Sequence, residues 1–588
     1  MSKQHHPVWI GLGSISIFFH MWLIFSGLVP SLISRPIHMA LALPWVFLFC
    51  IRSKPQLYFG YILTLLGILS CLYIAINESL LSEQYGFING WEQFLISGIL
   101  ISITLEMARR TVGWPLPVIT LLFLLYGLFG DNVPGEFGHA GIPINSFLGT
   151  LVITEGGLWG KLTGVSVSIV AVFVIFGAIL NAGEAGQGFM NIAIAAAGRL
   201  TGGAAKVSII SSALFGSISG SASANVASTG MVTLPTMRSL GYPKRIAAAV
   251  EAVSSTGGQI MPPLMGAGAF VMVELTGIPY NQIILAAFIP ALLYFATIWF
   301  GVNRYAELYG LRPYKTHMLP ALSLVVKTGL FFFIPFSVLL FFMYIGYTPQ
   351  FSAALAIFSA FFLLFVDIDL NLSWKKTKKR LVKASIFSGQ QVATIASIIL
   401  CASLIVGVLG ITGLGIKVTS TILTLSGESL WLALLLTALA CIILGMEVPT
   451  TAAYVICVSV SGPALIDLGL DPLLVHLFVF WFALLSTITP PVCGGVFIAA
   501  SMVEENWLKV AGSAMALGLG LYIVPLTMVR HPVIINFAHS PVKSILIGIQ
   551  IGIGLYLFSR GIIGNHTSKA YRLFFIIAGS AIAFFEFY

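Results

Sequence analysis

The sequence predicts an all-α polytopic membrane protein, with about 15 transmembrane helices and two re-entrant helical hairpins arranged as an inverted repeat. Three observations lead there. First, only 8% of the 588 residues are charged and 58% are hydrophobic, whereas soluble domains carry roughly 25% charged residues. Second, apolar runs long enough to cross ~30 Å of hydrocarbon recur along almost the whole chain. Third, two Gly-centred, hydroxyl-rich breaks, each followed by a Pro-Pro break, occur in opposite halves.

The composition also excludes classes. No polar stretch is long enough to build a soluble domain. The formal charge of +9 sits in short loops, most densely in WKKTKKRLVK (Trp374 to Lys383), which is the pattern of the positive-inside rule rather than of nucleic-acid binding. Six cysteines (Cys50, Cys71, Cys401, Cys441, Cys457, Cys493) form no CxxC pair and lie within or beside apolar segments, as small buried hydrophobes do. The run Val8 to Val29 is long enough to span and is followed by no small-residue cleavage site, so it reads as a first membrane helix.

Taken in order, spans are expected to begin near Val8, Ile37, Tyr58, Trp91, Val112, Val165, Ile246, Asn281, Leu319, Pro349, Ile386, Leu473, Ser513, Val542 and Tyr571. The runs near 205–237 and 430–466 are each broken at the middle. At ~1.5 Å per residue, arms of about 14–18 residues reach only ~21–27 Å, so both read as re-entrant hairpins. With the N-terminus in the cytoplasm, Arg52/Lys54, Arg109/Arg110, Arg199/Lys206, Arg238/Lys244/Arg245, Arg304/Arg312/Lys315, the 375–383 cluster and Lys569/Arg572 all fall inside. Arg35, Lys161 and Arg530 are the exceptions. The first hairpin is then flanked by the cytoplasm and the second by the exterior, which makes the halves inverted. Four segments follow: a small four-helix part (1–110), a connecting helix (111–140), a large part with the repeats (141–530), and a two-helix appendage (531–588) that places the C-terminus in the periplasm. QGFMNIAIAAAGR, ending at Arg199, reads as an interfacial amphipathic or buried core helix.

The paired breaks are FGSISGSASANV (Phe215 to Val226) with STGGQIMPP (Ser255 to Pro263), and LGMEVPTTAAY (Leu444 to Tyr454) with STITPP (Ser486 to Pro491). Their spacing repeats, since 262 − 216 = 46 and 490 − 445 = 45. A helix interrupted inside a bilayer leaves backbone groups unsatisfied at a cost of several kcal/mol each, and matched breaks in two halves point to a transporter's binding site. A small hard cation such as Na⁺ takes neutral oxygens. These would come from Ser217, Ser219, Ser221 and Asn225 with the backbone of Gly257 and Gly258, and from Thr450, Thr451, Thr487 and Thr489. The bland alternative is close helix packing. Glu251 is expected either to form an ion pair with Lys244 or Arg245 near the cytoplasmic surface or to have a catalytic or ion-binding role; Glu447, at the second tip, either carries a cation or proton or simply touches water. Glu106 with Arg109 and Arg110 reads as a charge-matched helix end. Gly160–Lys161 lacks the rest of a phosphate loop, GEAGQG follows no strand, and no HExxH or GxSxG-plus-helix occurs. Among the dispersed histidines, His476 alone is expected well inside a span, packed. Nothing pairs a nucleophile with a base, so no enzyme is expected.

LEMARRTVGWPLPVITLLFLLYGLFG, GSISGSASANVASTG, AAAVEAVSSTGGQIMPPLMGAGAF, LGMEVPTTAAYV and HLFVFWFALLSTITPPV, in that order over roughly 90–530, resemble the fused small-plus-large permeases of tripartite ATP-independent periplasmic (TRAP) transporters. The resemblance implies an elevator-type transporter of the bacterial inner membrane. It would take up an organic acid with Na⁺, handed over by a periplasmic solute receptor, usually of the TAXI type in fused permeases. By that resemblance the binding motifs fall on Ser217, Ser219, Gly220, Ser221 and Asn225; on Gly257, Gly258, Gln259, Pro262 and Pro263; on Gly445, Pro449, Thr450 and Thr451; and on Thr489, Pro490 and Pro491. The Na⁺ candidates are Ser219, Asn225, Gly258, Thr450 and Thr489. Glu447 departs from the family's small residue and puts the coupling charge in question. No cofactor is expected; the coupling ion is Na⁺, with H⁺ as the alternative. Partners are the receptor, the organic acid and membrane lipid, and no nucleic acid. The rival readings are a receptor-independent, ion-coupled organic-anion transporter of a related elevator fold and a membrane-embedded enzyme.

Overall fold

The structure is a computed structural model that describes residues 7–49, 51, 53–369, 371–427, 429–445, 448–491, 493–564 and 568–586; the side chains of Ile218 and Ser219 lie outside the description. Among the described residues, twelve helices are long and apolar enough to cross a membrane, from Pro7–Phe25 to Pro541–Ile562. Six shorter apolar helices accompany them, and a single Val366–Leu372 bridge is the nearest thing to a strand. The protein is an all-α polytopic membrane protein. Several expected spans, such as Pro349–Leu363 and Pro472–Leu485, are these shorter helices.

Element order repeats along the chain. Helix Lys161–Ala182 is followed by Ala185–Ala197, then the pair Gly203–Ser219 and Ala222–Ser239, the pair Lys244–Gly257 and Gly266–Thr276, and Tyr280–Tyr309. The second set is Trp374–Thr412, Leu414–Ser426, the pair Leu430–Leu444 and Thr450–Asp467, the pair Pro472–Leu485 and Gly494–Val503, and Trp507–Arg530. We call the first pair in each set the hairpin and the second pair the broken helix.

The chain divides into two compact units. One comprises Met1–Gly183, Ile334–Leu436 and Thr451–Leu465; the other comprises Glu184–Phe333, Thr437–Thr450 and Ile466–Tyr588. In the first unit the 39-residue helix Trp374–Thr412 is the spine. Helix Lys161–Ala182 runs antiparallel to it: Thr163 Oγ1 is 3.0 Å from Ser403 Oγ near one end, and Lys383 Nζ donates to Asn181 O at 2.8 Å near the other. Lipid offers no hydrophobic drive for helix association, so close packing through small residues must supply it. Accordingly a Cβ at Gly13 would lie 2.1 Å from Ser385 O, one at Gly389 would meet the Trp45 ring at 2.3 Å, and one at Gly407 would lie 2.6 Å from Gly156 O.

Two charges that broke the positive-inside pattern have carboxylate partners. Arg35 bonds Glu155 at 3.2 Å and also Trp159 O, and Arg530 pairs with Glu586 at 3.2 Å. Glu106 accepts from Arg109 Nε at 2.6 Å and from Arg110 Nε at 2.7 Å, closing its helix end as expected. The histidine reading needs correction: His20 and His38 are buried within spans, whereas His476 is buried in the shorter apolar helix Pro472–Leu485. His20 Nδ1 must donate to Ser16 O at 2.7 Å. That leaves Nε2 to accept from His38 Nδ1 at 2.8 Å, and His38 Nε2 to accept from Ser166 Oγ at 3.1 Å. The chain of three bonds satisfies both neutral rings, which is why they are tolerated at that depth.

The second unit holds both broken helices, the first hairpin and the second hairpin's tip. Helix Tyr280–Tyr309 braces it, with Tyr294 Oη donating to Val253 O at 2.7 Å. The last two helices cross through small residues, a Cβ at Gly554 lying 2.8 Å from Ala583 Cβ. They dock on Tyr280–Tyr309 through Arg304 Nε to Ile563 O at 3.1 Å and Phe300 edge-on to Tyr556.

Candidate functional site

Each hairpin tip sits on the break of its own broken helix, and glycine makes this possible. In the first half, Gly203–Ser219 ends at Gly220, which has φ +63°; a side chain there would be strained. Ser221 then caps the next helix, its hydroxyl accepting from Ala224 N at 3.4 Å. A Cβ on Gly216 would lie 2.4 Å from Gly258 Cα, and one on Gly220 would lie 3.0 Å from Gly266 Cα. Two backbones therefore touch at two points. In the second half a Cβ on Gly445 would lie 2.9 Å from Ser486 Oγ.

The correspondence holds residue by residue across the breaks. Pro262 and Pro490, Met265 and Cys493, and Gly258 and Ser486 each stand 228 apart, as 490 − 262, 493 − 265 and 486 − 258 show. Pro262–Pro263 and Pro490–Pro491 are both cis. Met265 (φ +52°) and Cys493 (φ +30°) both take left-handed backbone immediately before the second half-helix. The docking partners Gly258 and Ser486 thus occupy equivalent places.

Around the first tip the polar groups converge. Asn225 is fully buried; its Nδ2 donates to Ser212 O at 3.0 Å and to Ser255 O at 3.1 Å. Two carbonyls fix the amide orientation, because the flipped form would set oxygen against oxygen. Asn225 Oδ1 then has no hydrogen-bond partner among the described residues, a deficit of about 1–3 kcal/mol if nothing fills it. Ser217, also buried, donates its hydroxyl back to Leu214 O at 2.8 Å. Gly257 and Gly258 are buried and end the first half-helix. Pro262 and Pro263, half-buried, lie in the break.

Gln259 joins the halves. Its Nε2 donates to Gly220 O at 2.8 Å, and its Oε1 accepts from Thr450 Oγ1 at 3.1 Å. A second bridge is Thr256 Oγ1 to Thr487 Oγ1 at 3.0 Å, with Thr487 O accepting from Gly495 N at 3.1 Å. Thr489 Oγ1 is 2.7 Å from Tyr522 Oη. Gln259→Leu removes both bonds of the first bridge, each contributing about 0.5–1.5 kcal/mol. Uptake should fall roughly tenfold with the protein still folded, as measured in proteoliposomes alongside size-exclusion chromatography; unchanged uptake would show the bridge idle.

The structure thus brings together Ser217, Gly220, Ser221, Asn225, Gly257, Gly258, Gln259, Gly445, Thr450, Thr487, Thr489 and the two Pro-Pro breaks (Pro262–Pro263, Pro490–Pro491), all in the second unit. Pro449 lies in the second tip just before Thr450. Thr451 follows Thr450 in helix Thr450–Asp467 and falls in the first unit. Glu447 and the Ser219 side chain lie outside the described residues. Sequence reasoning missed Thr256, Tyr522 and the carbonyls of Ser212 and Ser255.

Glu251 corrects a reading. It makes no ion pair with Lys244 or Arg245: Lys244 Nζ reaches Glu504 O at 3.5 Å and Arg245 bonds Tyr309 Oη. Seven residues put Lys244 about 10.5 Å away along the axis, and Arg245 projects from the other side of the helix. Glu251 is instead fully buried and accepts from Ser208 Oγ at 2.8 Å, from Ser255 Oγ at 3.2 Å, and from Thr229 and Thr233. Four donors to one carboxylate lock the two arms of the hairpin to the broken helix. Glu251→Leu should cost about 2–4 kcal/mol by removing the one acceptor that these four hydroxyls share across three helices. It should lower the thermal unfolding midpoint clearly more than Glu251→Gln does, and equal midpoints would refute the lock.

Residues 99–542, about three quarters of the chain, match the family described as tripartite ATP-independent periplasmic transporter, DctM component. The chain belongs to this TRAP permease family. Among its relatives, the C4-dicarboxylate TRAP transporter large permease protein DctM of Pseudomonas aeruginosa is 26% identical over 56% of this chain and 76% of its own. The isethionate TRAP transporter permease protein DctMQ of Oleidesulfovibrio alaskensis is 25% identical over 70% of this chain and 64% of its own. The 2,3-diketo-L-gulonate TRAP transporter large permease protein YiaN of Escherichia coli is 25% identical over 58% and 79%. The chain is therefore the multi-pass membrane permease of a TRAP-type transporter, a class that works with a periplasmic solute-binding receptor in the inner membrane.

Proposed function

We propose that this permease couples inward Na⁺ movement to uptake of an organic acid released by a TAXI-type receptor, with the small TRAP subunit fused at its N-terminus. The observation that carries the reading is the pair of hairpin tips seated on equivalent helix breaks, with the buried Asn225 oxygen left over at one of them. Neutral oxygens without partners suit Na⁺, and half-helix N-termini beginning at Gly266 and Gly494 suit an anionic group. The substrates in the relatives' names, a C4-dicarboxylate, isethionate and 2,3-diketo-L-gulonate, are all organic anions, which supports that class here. In this reading alternating access is an elevator movement, which the paired hairpins support, with the N-terminus in the cytoplasm and the C-terminus in the periplasm.

Uptake in proteoliposomes tests it. Accumulation of radiolabelled acid should require both the receptor and an inward Na⁺ gradient. Uptake without receptor would favour a stand-alone transporter. Uptake driven by voltage, with Na⁺ absent on both sides, would refute the coupling ion and leave H⁺.

A further inference from the structure

The first unit contains a cavity of about 1040 Å³ that no part of the transport site uses. Its walls are one face of Pro7–Phe25, the end of Pro349–Leu363 and the first turns of Trp374–Thr412. Along the first helix it runs from Ile10 to Phe25, about 22 Å at ~1.5 Å per residue. That exceeds one leaflet, about half of a ~30 Å hydrocarbon core. The walls are almost wholly apolar, and several of their side chains, such as Phe18 (71% exposed) and Phe362 (67%), are open outward. The floor is fixed where Gly13 abuts Ser385 and Ser14 Oγ meets Ser385 Oγ at 3.2 Å.

One end of this cavity is different. Trp374, Thr377 and Lys378 line it, at the start of the most basic segment in the chain. Several neighbouring cations are committed elsewhere. Lys376 pairs with Asp367 at 3.1 Å, whose carboxyl the Asn371 backbone N–H and then Lys376 hold below its usual range. Arg380 donates to Leu364 O at 3.1 Å and Val366 O at 2.6 Å, and Lys383 to Asn181 O. Among the described residues, Lys375, Lys378 and Lys379 make no ion pair. Their i, i+3, i+4 spacing sets them on one face of the helix, the face whose next turn, at Leu381 and Val382, lines the cavity.

We infer that this cavity binds an anionic diacyl phospholipid, an acyl tail along the first helix and its phosphate at Lys378 flanked by Lys375 and Lys379. Setting topology requires only an excess of Lys and Arg in the loop. It requires neither an apolar groove beneath three uncommitted ammonium groups nor a tryptophan at the mouth, and that combination is what recognises an anionic headgroup at a helix end.

The test is native mass spectrometry of the delipidated 588-residue chain, offered phosphatidylglycerol and phosphatidylcholine with identical acyl chains. Wild type should retain phosphatidylglycerol at least about tenfold over phosphatidylcholine. Neutralising the three lysines (K375Q/K378Q/K379Q) should erase that preference, with cysteine labelling confirming unchanged orientation. Leu381→Trp, which pushes a bulky ring into the cavity next to Lys378 and keeps every charge, should reduce binding of both lipids. Equal retention of the two lipids by wild type overturns the proposal, as does phosphatidylglycerol binding that survives Leu381→Trp undiminished.

Discussion

Gly258→Ala should reduce Na⁺-driven uptake to background while leaving a folded, monodisperse protein. The new methyl would lie opposite Gly216, where the two Cα positions already approach so closely that a Cβ on either falls 2.4 Å from the other. The side chain next to it, Asn225, is held by two hydrogen bonds and has little room to yield. The neighbour is backbone, so the first hairpin must lift off its broken helix. Overpacking of this kind costs about 1–3 kcal/mol, too little to unfold a unit held by many other helix crossings. It is enough to displace the Asn225 amide, whose Nδ2 is 2.9 Å from the same added carbon. Gly216→Ala should do the same from the other side. The corresponding change in the second half, Ser486→Ala, adds no atom at the contact and should be far milder. Wild-type uptake in Gly258→Ala would show that the close approach of tip and break does not matter to transport.

Asn225→Ala should weaken the apparent Na⁺ affinity of uptake by at least about 10–100-fold, the range seen when a group supporting a metal site is removed. The substitution deletes the bond from Asn225 Nδ2 to Ser212 O that ties the hairpin's arms together, the bond to Ser255 O that ties the hairpin to its broken helix, and the oxygen that has no partner. Asn225→Asp separates these roles. It keeps the shape but sets a carboxylate oxygen against two carbonyls, so it should also impair uptake, with partial recovery at low pH as the acid protonates and donates again. If Asn225→Ala leaves the Na⁺ dependence of uptake unchanged, the residue is a strut and not part of the ion site.

Much of the fold could be read in the sequence because the breaking residues are chemically blunt. Gly220, Gly258, Gly445 and the Pro-Pro pairs interrupt apolar runs where no soluble-protein rule would place them, and the helices begin and end close to those points. The placement of Glu251 was not read, though a signal existed. Asn225, Thr229 and Thr233 recur every fourth residue, as do Glu251 and Ser255. Two polar stripes on helices otherwise apolar must face one another in a bilayer. Tyr522 and the cradle carbonyls of Ser212 and Ser255 left no such trace. Backbone acceptors have no sequence signature, and a lone tyrosine thirty-three residues beyond Thr489 looks like any packed aromatic. The single-residue difference between the two Gly-to-Pro spacings also hid the 228-residue register that Met265 and Cys493 make plain.

The most direct measurement is the thermal unfolding midpoint of the purified chain in NaCl against KCl and choline chloride at equal ionic strength. Na⁺ bound only by the folded state should raise the midpoint with Na⁺ concentration, and the rise should vanish in Asn225→Ala and Gly258→Ala. The same midpoint in all three salts, or a Na⁺-dependent rise that both variants retain in full, would contradict a Na⁺ site at the seat of the first hairpin.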